Sequence, residues 1–289
     1  MLERFLAPGL LEIVHPSAAL GRDRKRCLVV GPPEALGAGE PRPVSYLLHS
    51  WGGNARSWVD HPRVFALLQA APHYTVMPES FRRWFINDHE GWRYEDYLID
   101  ELVPLIDARL GLPETPVARA IGGFSMGGCA AFLAAVRHPG MFNAVFCHAS
   151  AFDAPGREGD PYALLRGPGR RLLMPTEAEH EAVWGPAGSA VRHEYDPYLA
   201  VRRSPPHQLR IYLDIGLDDY PRMKQMVRSF HRFLLAQGLS PEYRESEGGH
   251  DLDFIAATLP YSLDFLARAF ETALRPALAM TASRGEAAP

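Results

Sequence analysis

Short apolar runs closed by turn signals recur at residues 27–31, 45–49, 74–78, 118–124, 144–150 and 209–216, and helical patterns separate most of the later ones. That alternation predicts a mostly parallel central sheet with helices on both faces. Between residues 41 and 128 the runs are nearly continuous in hydrophobics, as in strands covered on both sides. Two helices are predicted from four-residue spacing: 95–110, with Leu98, Leu102, Ile106 and Leu110, and 221–235, striped by Met223, Met226, Val227, Phe230, Phe233 and Leu234. Pro221 suits a first helical position. A strand-like run at 242–247 precedes a last helix.

From Phe152 to His207 neither a two-fold nor a 3.6-fold period holds, and Pro and Gly recur every few residues. This segment is expected to be an inserted excursion after the sixth strand, forming a lid, a pocket wall or a surface loop. With no internal repeat and no linker, residues 1–274 read as one domain, and the Ala-rich stretch from Arg275 to Pro289 reads as a loose tail.

Composition narrows the function classes. Lys and Arg number 30 against 34 Asp and Glu, a net charge of −4 with acids and bases interspersed, which argues against a nucleic-acid partner. Hydrophobic residues at 47% and charged residues at 22% are globular values, enough for a large core. The opening Met1-Leu2-Glu3-Arg4-Phe5 lacks a signal-peptide core and no run approaches the ~18 apolar residues of a membrane span, so a soluble, cytoplasmic protein is expected. Cys27, Cys129 and Cys147 are odd in number and without C-x-x-C spacing, so buried free thiols are expected rather than disulfides or a zinc site.

Gly123-Phe124-Ser125-Met126-Gly127 stands between an apolar run and a helical stretch at 128–136. Strand, tight turn and helix are the setting of a nucleophile elbow: glycines two residues either side of the serine clear the turn and leave its hydroxyl exposed above the sheet. The helix start adds free N–H groups that favour a developing oxyanion. A helix N-cap is the plainer role for such a serine. Chain order favours chemistry, because an acid after a late strand and then a histidine follow Ser125, as in Ser…Asp…His hydrolases. The histidine is His250 in Glu247-Gly248-Gly249-His250-Asp251. A hydroxyl is a weak nucleophile without such a base. Asp214, Asp218 and Asp219 compete as the acid. Asp219, three residues beyond Gly216, is preferred, to hold one tautomer of His250 and stabilise its charged form. His49-Ser50-Trp51-Gly52-Gly53-Asn54 follows an earlier strand and has the form of an oxyanion loop, which assigns the hole to the N–H groups of Trp51 and Met126. His49 itself reads as a strand-end residue fixed by hydrogen bonds. Trp51 and Trp58 could be core aromatics or pocket walls.

Further strings complete a resemblance: Tyr46-Leu47-Leu48-His49, Gly52-Gly53-Asn54, Trp58, Glu95-Asp96-Tyr97 leading to Glu101-Leu102-Val103-Pro104-Leu105-Ile106-Asp107, the elbow with Gly128, and Gly248-Gly249-His250-Asp251. The chain resembles, from about Pro43 to Phe270, the esterase family that includes esterase D (S-formylglutathione hydrolase), tributyrin, feruloyl and acetyl-xylan esterases and the antigen 85 mycolyltransferases. The resemblance implies an α/β-hydrolase fold and a serine esterase that needs no metal or cofactor. It puts the nucleophile on Ser125, the acid on Asp219, the base on His250 and the oxyanion amides on Trp51 and Met126, with a small-molecule ester or thioester as substrate. The chain departs from the family where His49-Ser50 replaces His-Gly, and where Pro78-Glu79-Ser80, followed by Arg82-Arg83-Trp84-Phe85, replaces Pro-Asp-Gly. Acyl transfer to another alcohol is the close alternative, and a non-catalytic binding module the distant one. A metal hydrolase built on Asp88, His89 and Glu90 is disfavoured, because adjacent side chains cannot all face one ion on a regular element. Oligomeric state is not legible in the sequence.

Overall fold

A computed structural model describes residues 1–21, 24–112, 119–163 and 174–285, the last eleven as backbone. Its described strands form one sheet of nine: β1 (Leu2–Ala7), β2 (Leu10–Pro16), β3 (Arg24–Val30), β4 (Val44–Leu48), β5 (Tyr74–Pro78), β6 (Arg119–Phe124), β7 (Ala144–His148), β8 (Arg210–Gly216) and β9 (Glu242–Ser246). The order is β1-β2-β3-β5-β4-β6-β7-β8-β9. The first four in that order pair antiparallel, and every pairing from β5 to β9 is parallel. The expectation of a mostly parallel sheet holds.

β4, β5, β6 and β7 are buried at every residue, which explains their mainly apolar composition. Helical residues 94–110 present Leu98, Leu102, Ile106 and Leu110 to the core, each at most 1% exposed. Within them Tyr97–Leu102 is wound as π-helix and the Val103 N–H reaches back to the Leu98 carbonyl. Pro104 follows at once and has no N–H to continue an α-helical ladder. Glu95 in this segment is buried and accepts from Arg137 at 2.8 Å and His138 at 2.9 Å, and the Tyr195 hydroxyl also donates to it. Burial pushes its carboxyl up, but these three donors outweigh that and hold it near a pKa of about 2. It thereby ties the segment to the helix Met126–Arg137 and to the excursion.

Two expectations need correction. The hairpin β1–β2 was not anticipated, although Leu10-Leu11-Glu12-Ile13-Val14 after Pro8-Gly9 carries a strand signal; its two strands add to the five apolar runs that precede the excursion, which follows the seventh strand and not the sixth. The excursion is not pattern-free: it contains the helices Glu177–Trp184, Ala190–Glu194 and Pro197–Arg203, capped by Thr176, Ser189 and Asp196. Helices of five to eight residues are too short to display a period. Residues 164–173 of that segment lie outside the described set. The last helix runs Leu252–Gly285. Residues 286–289 are not described.

Among the described residues no helix is long and apolar enough to cross a membrane. The parallel strands end at one edge of the sheet, and the loops that leave their carboxyl ends hold Ser125, Asp219 and His250.

Candidate active site

β6 ends at Phe124 and a helix begins at Met126, so a single residue reverses the chain. That residue is Ser125, held at φ 57° and ψ −113°. A side chain pays about 1–3 kcal/mol in such a region. Close packing enforces the turn. A Cβ on Gly127 would stand 2.1 Å from the Leu48 carbonyl oxygen, and one on Gly123 2.5 Å from the same atom, because β4 and β6 are neighbours and the helix starts against the end of β4. The Ser125 N–H donates to the His148 carbonyl at 2.8 Å. A methyl at position 127 meets main chain, which cannot step aside. Gly127→Ala is therefore expected to cost more than about 4 kcal/mol and to lower Tm by roughly 10 °C, read by calorimetry; an unchanged Tm would mean the turn has slack.

The loops after β8 and β9 bring Asp219 and His250 together. The Leu217 N–H donates to Ser246 O at 2.8 Å, the Asp218 N–H to Gly248 O at 2.9 Å, and the Gly248 N–H returns to the Asp218 carboxylate at 3.2 Å. Gly216 permits this approach, since a Cβ there would lie 2.3 Å from Gly248 O. Asp219, with its side chain fully buried, accepts from His250 Nδ1 at 2.8 Å and from the Tyr220 N–H at 2.6 Å. His250 Nε2 stands 2.9 Å from Ser125 Oγ. The imidazole lies against the Phe124 ring, centroids 4.6 Å apart. Ser125, His250 and Asp219, separated by as much as 125 positions in the chain, thus form one hydrogen-bonded line.

The three candidate acids have different surroundings. Asp218 pins the histidine loop and does not touch the ring. Asp214 is buried in β8 and pairs with His148 Nδ1 at 2.7 Å and the Tyr212 hydroxyl at 3.1 Å, while His148 Nε2 meets Ser262 Oγ at 3.1 Å. Ser262, His148 and Asp214 make a second Ser–His–Asp line, but His148 and Asp214 are 0% exposed, so no substrate can reach it. It fastens the last helix to β7, whose His148 carbonyl holds the Ser125 amide.

After β4, His49 turns inward. Its Nδ1 bonds Ser50 O at 2.8 Å and its Nε2 accepts the Ser80 N–H at 2.8 Å, which fixes the neutral tautomer and the loop with it. Ser50 takes no left-handed conformation; Gly52 does, at φ 75°. The Trp51 N–H and the first-turn N–H of Met126 have no acceptor among the described residues. A cavity of about 30 Å³ beside Ser125 is walled chiefly by Trp51, Trp84, Ala151, Met223, Met226 and the nine-tenths buried Arg157. Trp58 is instead core, and Trp184 packs behind Trp84 at 5.0 Å. Sequence reasoning missed Arg157, Tyr162 and His180, which line the same cavity from the irregular segment. Met223 and Met226, two members of the predicted helical stripe, line it as well. They lie two turns or less beyond Asp219, so one helix start places both the acid and a pocket wall.

Burial pushes His49 and His73 down to about 4, and burial, then the nearby guanidinium groups of Arg157 and Arg192, push His180 to about 3. The unfolded chain protonates these imidazoles below about pH 6.5, whereas the folded chain does not until near pH 4. Their contribution is whole above that range and is lost as pH falls through it. Urea midpoints are expected to drop between pH 6.5 and 4.5 by the equivalent of several kcal/mol, about 1.4 per unit per histidine at most. A flat profile would contradict the buried neutral state.

Asp88 and Glu90 both serve Arg83, at 2.8 and 2.6 Å, and among the described residues no cluster of His, Cys, Asp or Glu could hold a metal ion. Cys27, Cys129 and Cys147 are buried free thiols.

An acetyl esterase of Caldicellulosiruptor saccharolyticus is 25% identical over 213 residues, 72% of this chain and 77% of that protein. A ferulic acid esterase structure superposes with TM-score 0.71 at 21% identity, covering 90% of this chain and 98% of the other. The Staphylococcus aureus fluorophosphonate-binding serine hydrolase F gives TM-score 0.73 at 16% identity, with coverage of 90% and 98%. The family model described as Putative esterase matches residues 17–264, and the chain therefore belongs to that family, an esterase with the α/β-hydrolase fold.

Proposed function

We propose that the protein hydrolyses carboxylic esters or thioesters of short acyl groups through an acyl-enzyme on Ser125. The carrying observation is the unbroken line from Ser125 Oγ to His250 at 2.9 Å and from His250 to Asp219 at 2.8 Å. Nε2 takes the hydroxyl proton as Oγ attacks the carbonyl carbon; Nδ1–H stays on the carboxylate, which stabilises the imidazolium. The oxygen turned negative meets the amides of Met126 and Trp51, each such donor being worth ~10²–10³ in rate. His250 then gives its proton to the departing alcohol or thiol, and water repeats the steps to free the acid.

The test is active-site labelling with a fluorophosphonate alongside turnover of p-nitrophenyl acetate. One label per chain, on Ser125, with hydrolysis is expected; neither label nor hydrolysis would overturn the reading. A cavity of about 30 Å³ has room for a group the size of one or two water molecules, which suits the methyl of an acetyl ester. The acetyl esterase relative agrees with that size. Accordingly kcat/KM is expected to fall at least about tenfold from acetate to octanoate, since each excluded methylene forfeits ~1 kcal/mol or more, and Met226→Ala should narrow the gap. Equal turnover of both esters would remove the size argument.

A further inference from the structure

Residues 50–53 separate two hollows. Trp51 and Trp84 face the cavity at Ser125, while their chain neighbours Gly52 and Arg83 face an open pocket of about 390 Å³ on the other side of the same backbone. Ser80, Phe81, Trp92 and Tyr94 also line that pocket, and at its base is Lys25, nine-tenths buried. The lysine ammonium meets the Tyr94 hydroxyl at 3.4 Å and stands 5.5 Å from the centroid of the Tyr94 ring. No carboxylate among the described residues lies within 4.0 Å of it. The two arginines of the pocket are already paired, Arg83 with Asp88 and Glu90, and Arg82 with Glu179. Among the described residues of the pocket Lys25 is therefore the charge left for a ligand, and a buried cation without a counter-ion is costly to keep. Phe81 and Trp92, 49% and 37% exposed, add apolar walls at the rim.

Topology relates this pocket to the reaction. Lys25 is on β3 and Ser125 follows β6, with β5 and β4 between them, so three strand spacings of ~4.8 Å put them ~14 Å apart across the sheet. Cys27 pairs with Pro78, so Lys25 projects past the end of β5, at the same edge as the nucleophile. We propose that the Lys25 pocket binds a carboxylate or phosphate carried on the leaving part of the substrate, so that the preferred esters are short acyl derivatives of an extended anionic alcohol or thiol. The proposal rests on Ser125 being the acylated residue: the acyl group fills the small cavity, and the remainder passes over residues 50–53.

A spacer series tests it. Acetyl esters of ω-hydroxy acids of increasing chain length are compared with the corresponding carboxamides, and the acid-to-amide ratio of kcat/KM is read within each protein, so that any general loss cancels. The wild-type ratio is expected to peak at about tenfold for one spacer length. Lys25→Met should flatten it, and Lys25→Arg, which keeps the charge, should preserve a peak. A ratio of one at every length in the wild type overturns the proposal, as does a peak that survives Lys25→Met. Calorimetry with phenyl phosphate separates the other source of such an anion: binding lost in Lys25→Met while the wild-type ratio stays flat would make the pocket a site for free anions, and the leaving-group assignment would fall. Failure of the Ser125 reading looks different, for then acids and amides alike go unhydrolysed and no label is taken up.

Discussion

Ser125→Ala is expected to lower kcat for p-nitrophenyl acetate by about 10⁵–10⁶-fold with the fold intact, as removal of a serine nucleophile does elsewhere. The hydroxyl is the atom that meets His250, and among the described residues no other hydroxyl is placed to take over: Ser150 is buried on its own carbonyl contact with His148, and Ser262 belongs to the sealed line at β7. His250→Ala should cost a similar factor, and the double variant little more than either alone, because the two act as a unit. The alanine variant keeps the positive-φ strain at position 125. Ser125→Gly removes both the hydroxyl and the Cβ and is therefore expected to be as inactive as Ser125→Ala yet more stable, by up to about 1–3 kcal/mol. Calorimetry on the two variants reads that difference directly. Equal Tm values would mean that the elbow is unstrained, and residual turnover above about one per cent in Ser125→Ala would mean that another group attacks.

The elbow was legible because its local requirements are sequence-local: a strand, two glycines and a helix start within a dozen residues. β4 to β8 were legible for a related reason, since strands buried on both faces are mainly apolar, and the observed ends lie within two residues of the predicted ones. β1 lies at the sheet's margin and is mostly exposed, so composition marks it weakly. The cavity walls were the least legible. Arg157, Tyr162 and His180 come from turns and short capped helices, where position is decided by contacts such as Trp84 on Trp184 and not by any period. Met223 and Met226 show the limit from the other side: a helical stripe says that side chains face inward, but not whether they face core or cavity. The substitution of serine for glycine at position 50 is accommodated because Gly52 alone in that loop takes a left-handed conformation.

Asp219→Asn should lower kcat by ~10⁴-fold, the scale seen when this acid is neutralised in other serine hydrolases, with little change in KM or Tm. The direction follows from two contacts. One carboxylate oxygen accepts the Tyr220 N–H at 2.6 Å and the other meets His250 Nδ1 at 2.8 Å. An asparagine must keep its oxygen toward the Tyr220 N–H, which leaves its NH₂ group facing Nδ1. Nδ1 is then forced to accept, the ring proton moves to Nε2, and the nitrogen that faces Ser125 can no longer take the hydroxyl proton. Asp218→Asn keeps an oxygen for the Gly248 N–H and is expected to stay within about tenfold of wild type, the worth of one exposed hydrogen bond. Asp214→Asn strikes the buried His148 and Tyr212 contacts instead and should register chiefly as lost stability, about 1–3 kcal/mol, with kcat much less affected. Three variants, each measured for kcat and Tm, therefore give three signatures: rate alone, neither, and stability alone. If the large rate loss fell on Asp214 or Asp218 while Asp219→Asn stayed active, the acid would have been misassigned and the 2.8 Å contact to His250 would have no catalytic meaning.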